Sequence, residues 1–353
     1  MRYSSLFMVL ITYIPSLKIP MGCQMSPSQI QKNHLNSLFF AFLPVLLFIT
    51  YLSIGKYYIS PLSVFNENLI GHTIIFDIRL PRAVEAMLFG ACMGISGASL
   101  QTTLRNPLVS PYILGISSGA AFGAALSIAF WGTGYFFFTQ PSAVLWSLIA
   151  IFLTFSLSRF RGHYSSVSLV LAGIIVSALF SGLLALIQIL IEPEKTHTIV
   201  AWTVGRLHTV GWRDVATSTP LAILGILGLL VFRWRIFLLS MGDEEAKSLG
   251  IDVERERVFV VFFASIATAS VVSVTGIIGW VCLISPHITR FIVGSNPKIL
   301  LPASISVGAS FMLVADLISR TIWTFEIPVG IITTLVGAPL FLYLMRRAMH
   351  EWS

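Results

Sequence analysis

Long apolar runs fill most of the chain and are broken at intervals by charge, glycine or proline. Ten of them read as membrane spans, since a helix that crosses a bilayer takes about 20 mostly apolar residues. They are Asn36–Lys56, Arg82–Leu104, Tyr112–Trp131, Pro141–Arg159, Val167–Ile191, Thr217–Phe232 (extendable to Leu239), Val258–Val274, Ile277–Val293 with an interruption at Pro286, Leu300–Trp323 and Pro328–Met345. The strict polar–apolar alternation of a barrel strand is missing from these runs. The pattern predicts an all-α integral membrane protein of about ten transmembrane helices. Before the first run, "LFMVLITYI" is apolar but only about half a span long, and Pro15 closes it. Residues 1–35 are therefore expected to be an N-terminal extension, either disordered or upstream of a natural start at Met21 or Met25. Residues 36–347 form the membrane domain and residues 348–353 a short tail.

Composition agrees with the pattern. Hydrophobic residues make up 56% and charged residues 10%, against roughly 25% charged in an average soluble domain. That is too little polar surface to coat a soluble globule of this length. The net charge of +7 does not point to nucleic acid, because the basic residues are scattered between apolar runs and form no stripe. The three cysteines, Cys23, Cys92 and Cys282, lack disulfide or metal spacing. The seven histidines have no paired-ligand spacing; among them His287 reads as a helix-end contact. No metal site and no cofactor is expected. There is no G-x-x-x-x-G-K-[ST] phosphate loop, so the chain is not expected to hydrolyse ATP, or to be an enzyme at all.

Lys and Arg set the sides of a membrane protein, because cytoplasmic loops carry the excess. One set of connecting segments holds Lys32, Arg105, Arg159, Arg161, Arg233, Arg235, Lys247, Arg255, Arg257, Arg290, Lys298, Arg346 and Arg347 and is the richer. It is assigned to the cytoplasm, with both termini. Arg79, Arg82 and Arg320 then lie on the outer side at span ends, where the bias disfavours arginine. Glu85 and Asp316 are carboxylates at span edges within about a turn of an arginine, a spacing that suggests structural pairs.

Two further features stand out. Glycines recur four apart in "GISSGAAFG" (Gly115, Gly119, Gly123) and "GACMG" (Gly90, Gly94), a pattern that lets helix backbones approach closely in lipid. It fits packing inside one subunit and a wall lining a pathway equally well. Between the sixth and seventh spans, "SMGDEEAKSLGIDVERERV" reads as a short soluble helix. Ser240 and Asp243 fit an N-terminal cap, three acidic residues occupy the first turn, Lys247 comes late, and Gly250 suits the left-handed position after the end. Such an elbow is either simply solvated or a docking knob for a soluble partner.

"RLPR", "RNPLVSPYILGISSGAAFGA", "GDEEAKSLG", "GIIGWVCLISPHITR", "LLPASISVGASFMLVADLISR" and "IPVGIITTLVGAPLFLYLM" follow one another in this order. Together they resemble the FecCD-type permeases of ABC importers, which take up iron–siderophore chelates, haem, vitamin B12 and, in some members, molybdate or tungstate. The resemblance covers roughly Asn36 to Arg347. It implies the type II importer architecture: ten spans per subunit, a second permease subunit (identical or a close paralogue), two ATPase subunits on one side and an extracytoplasmic substrate-binding protein on the other. It implies that Arg79, Arg82 and Arg320 dock acidic residues of the binding protein; lipid-headgroup anchoring or an internal pair, Arg320 with Asp316, are the alternatives. It implies that Gly242, Asp243, Glu244, Glu245, Lys247, Leu249 and Gly250 form the coupling helix seated in the ATPase. Gln101, Ser117, Ser118, Gly119 and Arg206 are candidate pathway residues. Arg206 departs from the Ser or Gly of many members and either draws an anionic cargo or is solvated at the rim. A gradient-driven transporter is the competing class, but it would call for midplane carboxylates around an ion site.

Overall fold

The computed structural model describes residues 42–55, 69–132, 136–160 and 163–350. The expected extension over residues 1–35, the start of the first span and the end of the tail lie outside the described residues. α1 is Phe42–Ser53. α2 is one continuous helix made of Leu69–Thr73, a π-helical stretch Ile74–Arg79, and Leu80–Thr103. Then follow α3 (Ile116–Trp131), α4 (Phe136–Ser158), α5 (Ser166–Leu190), the short α6 (Pro193–Thr203), α7 (Trp212–Val231), α8 (Arg233–Met241), α9 (Asp243–Ser248), α10 (Val253–Thr275), α11 (Val281–Val293), α12 (Pro297–Thr321) and α13 (Val329–His350). A two-residue antiparallel pairing, Arg159–Phe160 with His163–Tyr164, closes the α4–α5 connection.

Among the described residues, 6 helices are long and apolar enough to cross a membrane, and four shorter apolar helices, α1, α3, α11 and the apolar part of α13 (Val329–Tyr343), complete a set of ten. Each coincides with one of the ten runs read from the sequence. The chain is a multi-pass, all-helical membrane protein.

α2 and α12 form the centre. Their backbones nearly touch: a Cβ on Gly90 would collide with the Gly308 carbonyl, and one on Gly308 with the Gly90 carbonyl. Gly94 meets the backbone of Ser304 in the same way. α10, α11 and α7 pack around this pair. Gly119 and Gly123 of α3 press against α4 at Trp146 and Ser142. The small-residue faces thus serve packing within the subunit.

Two boundaries differ from the expected ones for identifiable reasons. The second span begins before Gly71, not at Arg82. Pro81 has no N–H to donate and its ring crowds the preceding turn. The π-helical stretch Ile74–Arg79 widens that turn, so the helix runs through the proline. The eighth span is not interrupted at Pro286; its helix starts at Val281, after the non-helical connection Gly276–Trp280 from α10. Trp280 adopts φ 71°, a left-handed conformation rare for a bulky residue. Irregular backbone packed among helices needs its polar groups met by neighbours. Here Tyr112 donates to the Ile278 carbonyl, and the Arg206 N–H bonds the Thr275 carbonyl at 2.7 Å. Pro286 sits inside α11 without ending it. The Cys282 carbonyl, one turn before Pro286, receives the Gln101 amide at 3.3 Å.

Candidate functional site

The end of α1 is where Arg79 and Arg320 act. A helix leaves its last four carbonyls without helical partners. Here every one is met. Thr50 O accepts from the Ile54 N–H at 3.0 Å, Tyr51 O from Arg320, and Leu52 O and Ser53 O from Arg79 at 2.7 and 3.3 Å. Arg320 also donates to Ile54 O at 2.7 Å and lies over the Tyr51 ring, 3.7 Å from its centroid.

Arg82 closes the arrangement. Its Nε and Nη2 grip Asp316 of α12 in a fork, at 2.9 and 2.8 Å, and its Nη1 reaches Glu326 in the α12–α13 connection at 2.8 Å. Tyr51 donates its hydroxyl to the same Asp316 carboxylate at 2.5 Å. Planar two-point pairing of this kind is the strong form of the arginine–carboxylate contact. α1, α2 and α12 are thereby clasped at one end of the bundle.

All three arginines belong to this network. Arg79, Arg82 and Arg320 are 5%, 6% and 6% exposed, so the side chains point into the protein rather than outward. The alternative of an internal pair is realised, but with different partners. Asp316 pairs with Arg82 of another helix, while Arg320, four residues along its own helix, turns to the α1 carbonyls. Among the described residues Glu85 pairs with no arginine; it accepts from Ser218 Oγ of α7 at 2.8 Å. His208, on the α6–α7 connection beside this end, is held below its usual imidazole range by burial and by the nearby Arg82.

The elbow occupies the opposite end. α9 starts from Gly242, not from a Ser240 cap. The apolar run after α7 forms its own helix, α8, through Met241, and Ser240 Oγ donates back to Phe237 O at 2.6 Å. The C-terminus of α9 is as expected. Gly250 has φ 80°; its N–H bonds Lys247 O at 2.9 Å, and the Ile251 N–H bonds Ala246 O at 3.0 Å. This pair of bonds, with Ile251 packed on Ala246, is the Schellman termination.

Three ties seat the elbow. Arg257 of α10 holds Asp243 through both carboxylate oxygens, at 2.9 and 3.1 Å. Arg235 of α8 bonds Glu256 of α10 at 2.5 Å, and Ala246 on the inner face of α9 is buried. Asp243 is therefore an anchor. Glu244, Glu245, Lys247 and Leu249 project outward, Leu249 with 58% of its surface exposed. A cleft of ≈530 Å³ opens beside them, lined by Arg105, Ser166, Asp243, Glu244 and Glu245.

The candidate pathway residues do not converge. Gln101 bridges α2 to α11, donating to Cys282 O and accepting from Arg290 at 2.6 Å. Gly119 is closed against α4. Arg206 is buried, with Nε bonding Val274 O at 3.2 Å, so it caps the end of α10. Ser118 Oγ donates to Gly115 O at 3.0 Å, and Ser117 Oγ is buried without a hydrogen-bond partner among the described residues. His287, expected at a helix end, lies inside α11, its Nδ1 2.7 Å from Leu283 O one turn back.

Sequence and structural comparisons agree on one family. The model of the FecCD transport family matches residues 43–347. The chain is 41% identical over 283 residues to a probable iron chelatin transport system permease protein of Helicobacter pylori, covering 80% of this chain and 85% of that one. It is 40% identical over 283 residues to the molybdate import system permease protein MolB of Haemophilus influenzae, covering 79% and 83%. It superposes on a solved metal-chelate type ABC transporter in an inward-facing conformation with TM-score 0.81 and 36% identity, covering 88% of this chain and 98% of that one. The ten apolar helices and these matches along most of the chain place it in the FecCD transport family, as a permease subunit of an ABC importer.

Proposed function

We propose that the chain builds the translocation pathway for a metal chelate, iron(III)–siderophore first, with haem, cobalamin and molybdate as the other cargoes. It does so together with a second permease subunit, identical or a close relative, two ATPase subunits and an extracytoplasmic binding protein. Residues 36–347 are its membrane domain, both termini lie in the cytoplasm, and the complex sits in the cell membrane. Similarity to an iron chelatin permease and to a molybdate permease supports this cargo range.

The observation that carries the reading is the exposed face of α9. A six-residue helix terminated by a Schellman motif and pinned by Arg257 is rigid where it meets the bundle. Yet it presents Glu244, Glu245, Lys247 and the apolar Leu249 to solvent. An exposed large apolar side chain among charges on a rigid knob suits a protein partner with a matching pocket. We assign these four residues to ATPase contact, and Gly242, Asp243 and Gly250 to holding the helix in place. Arg79, Arg82 and Arg320 act at the binding-protein end by fixing the end of α1, which favours fastening over direct docking. Ser117 and Ser118 remain the pathway candidates.

The test is to purify the chain gently from its own membranes and weigh the ATPase that comes with it. Leu249→Asp is expected to lower the retained ATPase about tenfold, the loss of roughly 1.4 kcal/mol, while the permease itself stays folded. Vesicles of the wild-type complex should take up a radiolabelled iron chelate, haem, cobalamin or molybdate only with ATP inside the compartment that faces α9. Uptake driven by an ion gradient without any ATPase would overturn the assignment.

A further inference from the structure

Lys298, in the first turn of α12, lies over two aromatic rings of α8. Its Nζ is 3.9 Å from the Trp234 ring centroid and 4.8 Å from that of Phe237. The two rings stack on each other, with centroids 5.4 Å apart. Their three-residue spacing puts them on one face of the helix. The α12 backbone is fixed at this point by Asn296, whose side chain accepts from the Lys298 N–H at 3.1 Å.

The position of this contact matters more than its strength. α8 leads through Gly242 straight into α9. The buried side of α8, Ile236 and Leu239, is packed against the bundle, and Arg235 ties it to α10. Trp234 is largely exposed and has no such packing; Lys298 covers it. The other end of the lysine's own helix carries Asp316 and Arg320, which hold the clasp. At about 1.5 Å per residue, roughly 27 Å of helix separate Lys298 from Asp316. α12 is thus one continuous helix, running through Pro302, held at the elbow end by a cation over a stacked pair and at the far end by a bidentate ion pair.

We propose that Lys298 is a positioning residue for coupling: it fastens α8, and through it the α9 elbow, to α12, so that displacement of the elbow moves the helix that holds the outer clasp. The inference rests on the assignment of α9 to ATPase contact. An ammonium over an aromatic face is a soft, adjustable link. Arginine can replace it, and a neutral side chain of similar length cannot.

The experiment uses the complete importer in proteoliposomes, with the cargo from the uptake panel that the wild-type complex transports. Cargo moved per ATP hydrolysed is compared for wild type, Lys298→Met, Lys298→Arg and Trp234→Leu. Lys298→Met and Trp234→Leu are each expected to lower this ratio three- to tenfold, with ATPase retention and monodispersity unchanged. Combining them should lower it no further, and Lys298→Arg should stay within twofold of wild type. An unchanged ratio in Lys298→Met, or an arginine variant as poor as the methionine one, overturns the proposal. Failure of the underlying assignment looks different: Leu249→Asp would then leave ATPase retention intact.

Discussion

Gly308→Leu is expected to yield no folded protein from the membrane, and Gly308→Ala a several-fold lower yield. α2 and α12 cross where Gly90 and Gly308 face each other, each blocking the space a Cβ on the other would need. Overpacking among side chains costs about 1–3 kcal/mol, because rotamers can give way. At this crossing the neighbours are carbonyl groups of helix backbone, which cannot move without separating the two helices. Separation would also pull apart Arg82 and Asp316, which lie two turns from the crossing on the same two helices. The clasp and the crossing therefore depend on one interaxial distance. Gly182 of α5 is the control, since nothing lies within 4 Å of a Cβ built there, and Gly182→Ala should match wild type. The readout is the monodisperse fraction and thermal midpoint of the tagged protein in detergent. A Gly308→Leu protein as abundant and as stable as Gly182→Ala would show that the helices do not meet as described.

How far the fold could be read from the sequence follows from which interactions are local. The ten apolar helices were legible because lipid demands a long apolar stretch from each of them separately. The C-terminal end of the elbow was legible for the same reason: Gly250 and the residues before it settle that termination within one turn. The start of α9 was not, because the choice between a Ser240 cap and a separate α8 depends on Ile236 and Leu239 finding cover elsewhere. Pro81 and Pro286 both looked like breaks. One is absorbed by a π-helical turn, and at the other the glutamine of a distant helix serves the carbonyl one turn back. The arginines show the limit most clearly. Their place at span ends was visible in the sequence, but their partners stand 234 residues away for Arg82 and more for Arg320. No periodicity reports such a pairing.

Arg82→Met is expected to destabilise the protein by about 3–5 kcal/mol, the usual consequence of leaving one member of a buried pair without its partner. Asp316 is fully buried, and after the substitution only Tyr51 would still donate to it, among the described residues. The double variant Arg82→Met with Asp316→Asn should recover most of that loss. The asparagine carries no charge and keeps an oxygen for the Tyr51 hydroxyl. Thermal unfolding of the four members of this cycle in detergent gives the coupling between the two sites directly. The same variants separate fastening from docking. If Arg82 served mainly to meet an acidic partner, the single variant would fold as wild type, and its defect would appear only in binding-protein-stimulated transport. That defect would grow at low salt, because rim charges are screened as ionic strength rises. A buried pair is shielded from mobile ions. The clasp therefore predicts a loss of stability that is the same at low and high salt, present in the permease alone, and repaired by removing the second charge rather than by adding the partner.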